Sequence, residues 1–196
     1  MSENSIAPII ALALSIVLFG FTHLLPSLPR LKTRVKAALG RAYLPLFILT
    51  SVLSVGMIGF FWAKSPFIAL YDPPTWGPHA TFLLMFFAFL LFGVFLYPCR
   101  LKQKLRTPFA LVVLLWGAGH LLANGDVATV VMAGGLMVVA IIMLVLAWRN
   151  DATPQERGDP MLDYAALLTG AILYLAMVTF HEALIGVPVL TYIMPG

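Results

Sequence analysis

A single cysteine, Cys99, stands among 196 residues. No intrachain disulfide can form, so the fold has to hold by packing. Charge is scarce as well. Asp, Glu, Lys and Arg make up 10% of the chain, against about 25% in soluble globular proteins. No phosphate-cradling glycine loop, no metalloprotease signature and no nucleophile triad occurs, so the usual signs of a soluble catalytic domain are missing. Met1 to Pro8 carries Glu3 and no Lys or Arg. A secretory leader needs a basic start, so the first apolar run is expected to stay as a span. What fills the chain is hydrocarbon: 61% of residues are hydrophobic.

A membrane span takes about 17–25 apolar residues. Six runs are candidates: 6–25, 43–63, 79–98, 108–123, 127–148 and 164–185. The fourth is short. The expected fold is all-α, a polytopic transmembrane helical bundle forming one domain over 1–196. Only Asn124-Gly125-Asp126 separates the fourth run from the fifth, which predicts a tight antiparallel hairpin.

The loops orient the bundle. Arg30, Lys32, Arg34, Lys36 and Arg41 follow the first run; Arg100, Lys102, Lys104 and Arg106 follow the third; Arg149 and Arg157 follow the fifth. Lys64 alone lies on the other side. The positive-inside rule makes the basic side cytoplasmic and sends both termini outward. The net charge of +4 is thereby explained by topology, and no basic patch is left for nucleic acid. Segments 33–39 and 101–105 alternate basic and apolar residues, as interfacial stretches on membrane lipid do. Trp62, Tyr71, Trp76, Tyr97 and Trp148 fall at the expected interfaces. Prolines make 72–78 an outer loop. The polar run 150–160 reads as a solvent loop, and 186–196 as a segment at the outer surface. Cys99 reads as an idle thiol at the inner interface. Gly56, Gly59, Gly134 and Gly135 read as helix-packing sites.

All four histidines, His23, His79, His120 and His181, fall in or at the ends of spans. Ionisable groups inside a membrane are costly and point to function. The plain alternative is a neutral imidazole bonded to a helix carbonyl. His79, beside Trp76, reads as an interfacial ring. His181 has Glu182 beside it, which makes an acid–base pair feasible. His23 and His120 share a local feature: Gly20 and Gly117 lie three residues earlier. Helical side chains lean over the preceding turn, so each glycine opens a slot beneath an imidazole. A flat macrocycle fits such a slot, and so does a closely packed helix. Two such histidines suit bis-histidine haem ligation. Depth argues against a simple pairing. At 1.5 Å per residue, His23 lies about 10 Å from Arg30 and His120 about 21 Å from Arg106. Bending at Pro26 and Pro29, or tilt of the fourth helix, would narrow that gap; otherwise His181 matches His120 better. Asn124 and Asp126 form an outer turn, with Asp126 as N-cap of the fifth helix.

The motifs His23-Leu-Leu-Pro-Ser-Leu-Pro29, Gly40-Arg-Ala-Tyr43, Tyr97-Pro98, Arg106-Thr-Pro108, Trp116-x3-His120-Leu-Leu-Ala-Asn-Gly-Asp126 and His181-Glu-x3-Gly-Val-Pro188 resemble those of the NnrU family of bacterial membrane proteins. The resemblance implies an inner-membrane protein with periplasmic termini. It implies a link to denitrification, through nitrite and nitric oxide reduction or redox sensing, alongside a respiratory-complex partner. The family resembles in turn the zeta-carotene isomerase, a haem b enzyme that isomerises an apolar polyene with redox-dependent histidine ligation. That resemblance implies haem b here, with His23 and His120 as axial ligands to the iron and His181 as the alternative. Where the isomerase has Arg-His-Pro this chain has Arg106-Thr107-Pro108, so one family histidine is absent. The paired Glu of isoprenylcysteine methyltransferase-like proteins is also missing between Arg149 and Asp163, which argues against methyl transfer.

Overall fold

The computed structural model describes residues 3–150 and 158–192. Much of the expected 150–160 loop, Arg157 included, and the last four residues lie outside them. Among the described residues there are eight α-helices and no strand: α1 (Glu3–Leu24), α2 (Pro29–Leu39), α3 (Tyr43–Lys64), α4 (Gly77–Leu96), α5 (Arg100–Leu105), α6 (Pro108–Ala123), α7 (Val127–Arg149) and α8 (Met161–Ile185). All six apolar runs are helical over most of their length. The stretches 33–39 and 101–105 form the short helices α2 and α5. Five helices, α1, α3, α4, α7 and α8, are long and apolar enough to cross a membrane. The 16 residues of α6 reach about 24 Å at 1.5 Å each, short of the roughly 30 Å hydrocarbon layer.

Helix ends follow from sequence. Pro26 lies in a 3-10 turn after α1, and Pro29 opens α2. Asp126 caps α7, its carboxylate accepting from the Thr129 N–H at 2.9 Å, as expected. Gly186 stops α8 with φ 82°, its N–H returning to the Glu182 carbonyl at 2.8 Å.

The chain forms two compact units. The first comprises Met1–Asp72 and Asn124–Asn150; the second comprises Pro73–Ala123 and Asp151–Gly196. The helices flanking Asn124-Gly125-Asp126 fall in different units: α6 packs on α4, and α7 on α1.

In the first unit α1 and α7 run parallel. A Cβ at Gly135 would lie 3.0 Å from Ile16, and one at Gly20 would lie 3.0 Å from Val139. The link after α3 is stitched to the turn before α7. Leu70 and Tyr71 donate backbone N–H to the Gly125 carbonyl, at 2.8 and 3.1 Å, and Val127 donates to Ile68 at 2.9 Å. The Tyr71 hydroxyl donates to the Asn124 carbonyl at 2.8 Å. Trp62 Nε1 reaches the Thr129 hydroxyl at 3.0 Å. At the other end, Asn150 Nδ2 donates to the Ser27 carbonyl at 2.7 Å.

In the second unit α4 is central and antiparallel to both α6 and α8. Glycines let backbones touch. A Cβ at Gly93 would lie 2.0 Å from the Ala166 carbonyl oxygen, and one at Gly170 2.4 Å from that of Phe89. Val94, Cys99 and Ala166 are buried together. Cys99, between α4 and α5, is 1% exposed. Gly135 serves packing as expected, whereas a Cβ at Gly56, Gly59 or Gly134 would meet nothing within 4 Å.

Candidate functional site around the intramembrane histidines

Each of three histidines is held by its Nδ1. In His120 it lies 2.8 Å from the Trp116 carbonyl, one turn back along α6. In His23 it lies 3.0 Å from the Phe19 carbonyl, with the Thr22 hydroxyl also at 3.0 Å. In His181 it lies 2.9 Å from the Val187 carbonyl, beyond the end of α8. A carbonyl only accepts, so Nδ1 carries the proton in each bond. In the neutral ring the lone pair then belongs to Nε2. The same arrangement orients metal-ligating histidines, whose other nitrogen donates to a carbonyl or carboxylate. It also satisfies a histidine with no ligand, so it defines competence.

An aromatic ring covers His23 and His120 alike. Phe19 stacks on His23 with ring centres 3.8 Å apart and planes 19° apart. Trp116 lies 4.3 Å from His120 at 31°. Both aromatics sit four residues earlier, a spacing visible in the sequence and missed in favour of the glycines at three. Phe47 of α3 adds a third ring near His23, at 5.9 Å; only the fold brings it there.

The glycine slots have distinct outcomes. The space over Gly20 is taken by Val139 of α7, the close-packed helix that was the alternative to a macrocycle. Gly117 is buried in α6. Its neighbour Gly119 meets Thr81, Leu84 and Met85 of α4, and its carbonyl accepts from the Thr81 hydroxyl at 2.7 Å.

His120 and His181 belong to the same unit. His23 belongs to the other unit. α1 stays helical through Leu24, and both prolines follow it. Glu182 is exposed, while its neighbour His181 turns to the Val187 carbonyl. His79 is exposed in the first turn of α4. Among the described residues no three His, Cys, Asp or Glu side chains gather as a metal-ion cage.

Asn124 and Asp126 lie in the stitched turn. Asp126 is 9% exposed. Tyr71, outside the spans, has its hydroxyl pKa raised, first by burial and then by the Asp126 carboxylate. In the segment before α6, Arg106 adopts φ 57°, unusual for a residue with a side chain.

Long apolar helices, alternating links and histidines held within the helices define a helical membrane protein of the multi-pass type. A family model described as NnrU protein matches residues 11–189, and the chain belongs to the NnrU family. No curated protein and no solved structure matches it.

Proposed function

We propose that this NnrU protein is a six-span inner-membrane protein that binds haem b and supports nitrogen-oxide reduction or redox sensing. Its axial ligand is His120, with His23 or His181 as the second. The observation carrying the reading is the His120 ring in its apolar helix, with Nδ1 committed to the Trp116 carbonyl and the lone pair on Nε2. That donor suits haem iron. Nδ1–H bonding fixes the ring's tautomer and orientation, and Trp116 limits its rotation. Membership of the same unit as His120 favours His181 as partner; family resemblance favours His23. Haem b, when bound, supplies one-electron chemistry, and the chain supplies ligands, orientation and an apolar surround.

Helix directions support six crossings despite the shortness of α6. The parallel packing of α1 and α7 requires an odd number of crossings between the end of α1 and the start of α7. α3 and α4 supply two, which would leave the chain on the side where α1 ended; α6 supplies the third and returns it to the side where α1 began. The bonds from the Leu70 and Tyr71 N–H groups to the Gly125 carbonyl support this count, because the segment after α3 and the turn before α7 then belong to the same side.

The test is a reduced-minus-oxidised visible spectrum of protein purified in detergent from haem-replete cells. A sharp Soret and α band, lost in His120→Ala, is expected. Loss in His181→Ala or in His23→Ala identifies the second ligand. A colourless protein refutes the proposal and leaves the histidines structural. A haem-dependent carotenoid isomerase is the alternative from family resemblance. Co-expression with a zeta-carotene-accumulating pathway decides it, through appearance or absence of the all-trans product.

A further inference from the structure

The helix α2 has eleven residues, and none of them is buried. Isolated helices shorter than about 12–15 residues are marginal in water, and this one has no buried face against the protein. Its residues are nevertheless ordered around its axis. At 100° per residue, Leu31, Val35, Ala38 and Leu39 share one arc. Arg30 and Arg34 border that arc on one side, and Lys32 and Lys36 on the other. Thr33 and Ala37 lie opposite. The apolar arc stays open: Leu31 is 38% exposed and Leu39 39%.

Charge in this region has one sign. No acidic residue occurs between Glu3 and Asp72, so Arg30, Lys32, Arg34, Lys36 and Arg41 have no carboxylate on their own stretch. Among the described residues the ion pair formed is Arg100 with Asp163, at 3.9 Å, in the other unit. In α5 Arg100 is held in this way, and Lys102 donates to the Phe95 carbonyl at 2.5 Å. Lys36 instead lies over the Tyr43 ring, 5.4 Å from its centre. Tyrosine and tryptophan mark the headgroup level. Trp148, 70% exposed, lies at the end of α7 beside Asn150, which bonds Ser27 just before α2.

We propose that α2 is a binding surface for anionic phospholipid, lying flat in the membrane interface. Its apolar arc enters the acyl boundary, and the two flanking basic pairs bind lipid phosphates. The positive-inside rule needs only the number of cations on this side. It does not require them to straddle an apolar arc. A second copy of the same helix would bring like charges together, so lipid of opposite charge is the better match. Each cation near an anionic surface contributes about a fivefold change in association.

The test uses the full chain in liposomes, in a Cys99→Ser background. A fluorophore is attached at Leu31→Cys, in the arc, or at Thr33→Cys, opposite it. Quenching by acyl-chain-brominated lipid is measured in phosphatidylcholine, with and without phosphatidylglycerol. Stronger quenching at position 31 than at 33 is expected, rising several-fold with phosphatidylglycerol. High salt reverses the rise, because the Debye length falls to about 3 Å at 1 M. The charge-keeping pair Lys32→Arg and Lys36→Arg retains the response, and Lys32→Gln with Lys36→Gln reduces it. Equal quenching at the two positions, or quenching indifferent to phosphatidylglycerol and salt, overturns the proposal.

Discussion

Replacing Gly93 by alanine sets helix propensity against packing. Alanine is favoured over glycine inside a helix by about 0.8–1.0 kcal/mol. Where the added methyl meets nothing, the change should stabilise. At Gly93 the methyl would sit 2.0 Å from the Ala166 carbonyl oxygen and 2.9 Å from the Gly170 nitrogen. These are backbone atoms of α8, so no side chain can swing away. Relief requires α4 and α8 to separate by roughly 1 Å or more, which strains the Tyr97–Thr169 bond at 3.0 Å and the Tyr174–Phe82 bond at 3.2 Å. Overpacking of this kind costs about 1–3 kcal/mol or more, so packing wins and Gly93→Ala destabilises. For a chain of this size each kcal/mol moves the Tm by about 2–4 °C. Gly170→Ala, 2.4 Å from the Phe89 carbonyl, should behave alike. Gly56→Ala and Gly59→Ala in α3 are the controls, with nothing within 4 Å, and should hold or raise the Tm. Thermal unfolding of the four variants in one detergent, followed by size-exclusion recovery, checks the set. A Gly93→Ala protein as stable as the parent, or controls that fall equally, would refute the reasoning.

Asp126→Ala removes the cap on Thr129 and should cost about 0.5–2 kcal/mol, whereas Asp126→Asn keeps a capping oxygen and should cost less, by the same melt. The Tyr71 hydroxyl titrates above the ordinary value of 10.0; the unfolded chain therefore loses this proton first, and the associated stability is intact below pH 10 and lost as pH rises through the folded value. Ultraviolet titration of tyrosinate, differenced against Tyr71→Phe, should show the late step, and Asp126→Asn should bring it earlier. Cys99, buried beside Val94 and Ala166, should resist maleimide in the folded protein and react after unfolding in dodecyl sulfate; equal rates would contradict its burial.

The helices were legible because an apolar run and its breakers are local. Pro29, Asp126 and Gly186 mark helix ends in the sequence as plainly as in the fold. Partner choice was not legible. Gly93 and Gly170 join α4 to α8, and Gly20 and Gly135 join α1 to α7. A glycine shows where backbones can approach without showing which backbone does. Gly56 and Gly59 look the same on paper and meet nothing. At the histidines, ring positions were evident, and the aromatic four residues earlier was available as a signal. Phe47 beside His23 depends on α3 folding against α1, which no local spacing encodes.

The interleaving of the two units has a consequence for synthesis. The first unit needs α7, and about 85 residues separate the end of α3 at Lys64 from the end of α7 at Arg149. At about 5–20 residues per second, α1 waits several seconds in lipid before Ile16 and Gly20 meet their partners. Its buried Ser15 is suited to the delay. The Ser15 hydroxyl donates to the Ala11 carbonyl of the same helix at 2.7 Å, so a polar group destined for the interior is satisfied before any neighbour arrives.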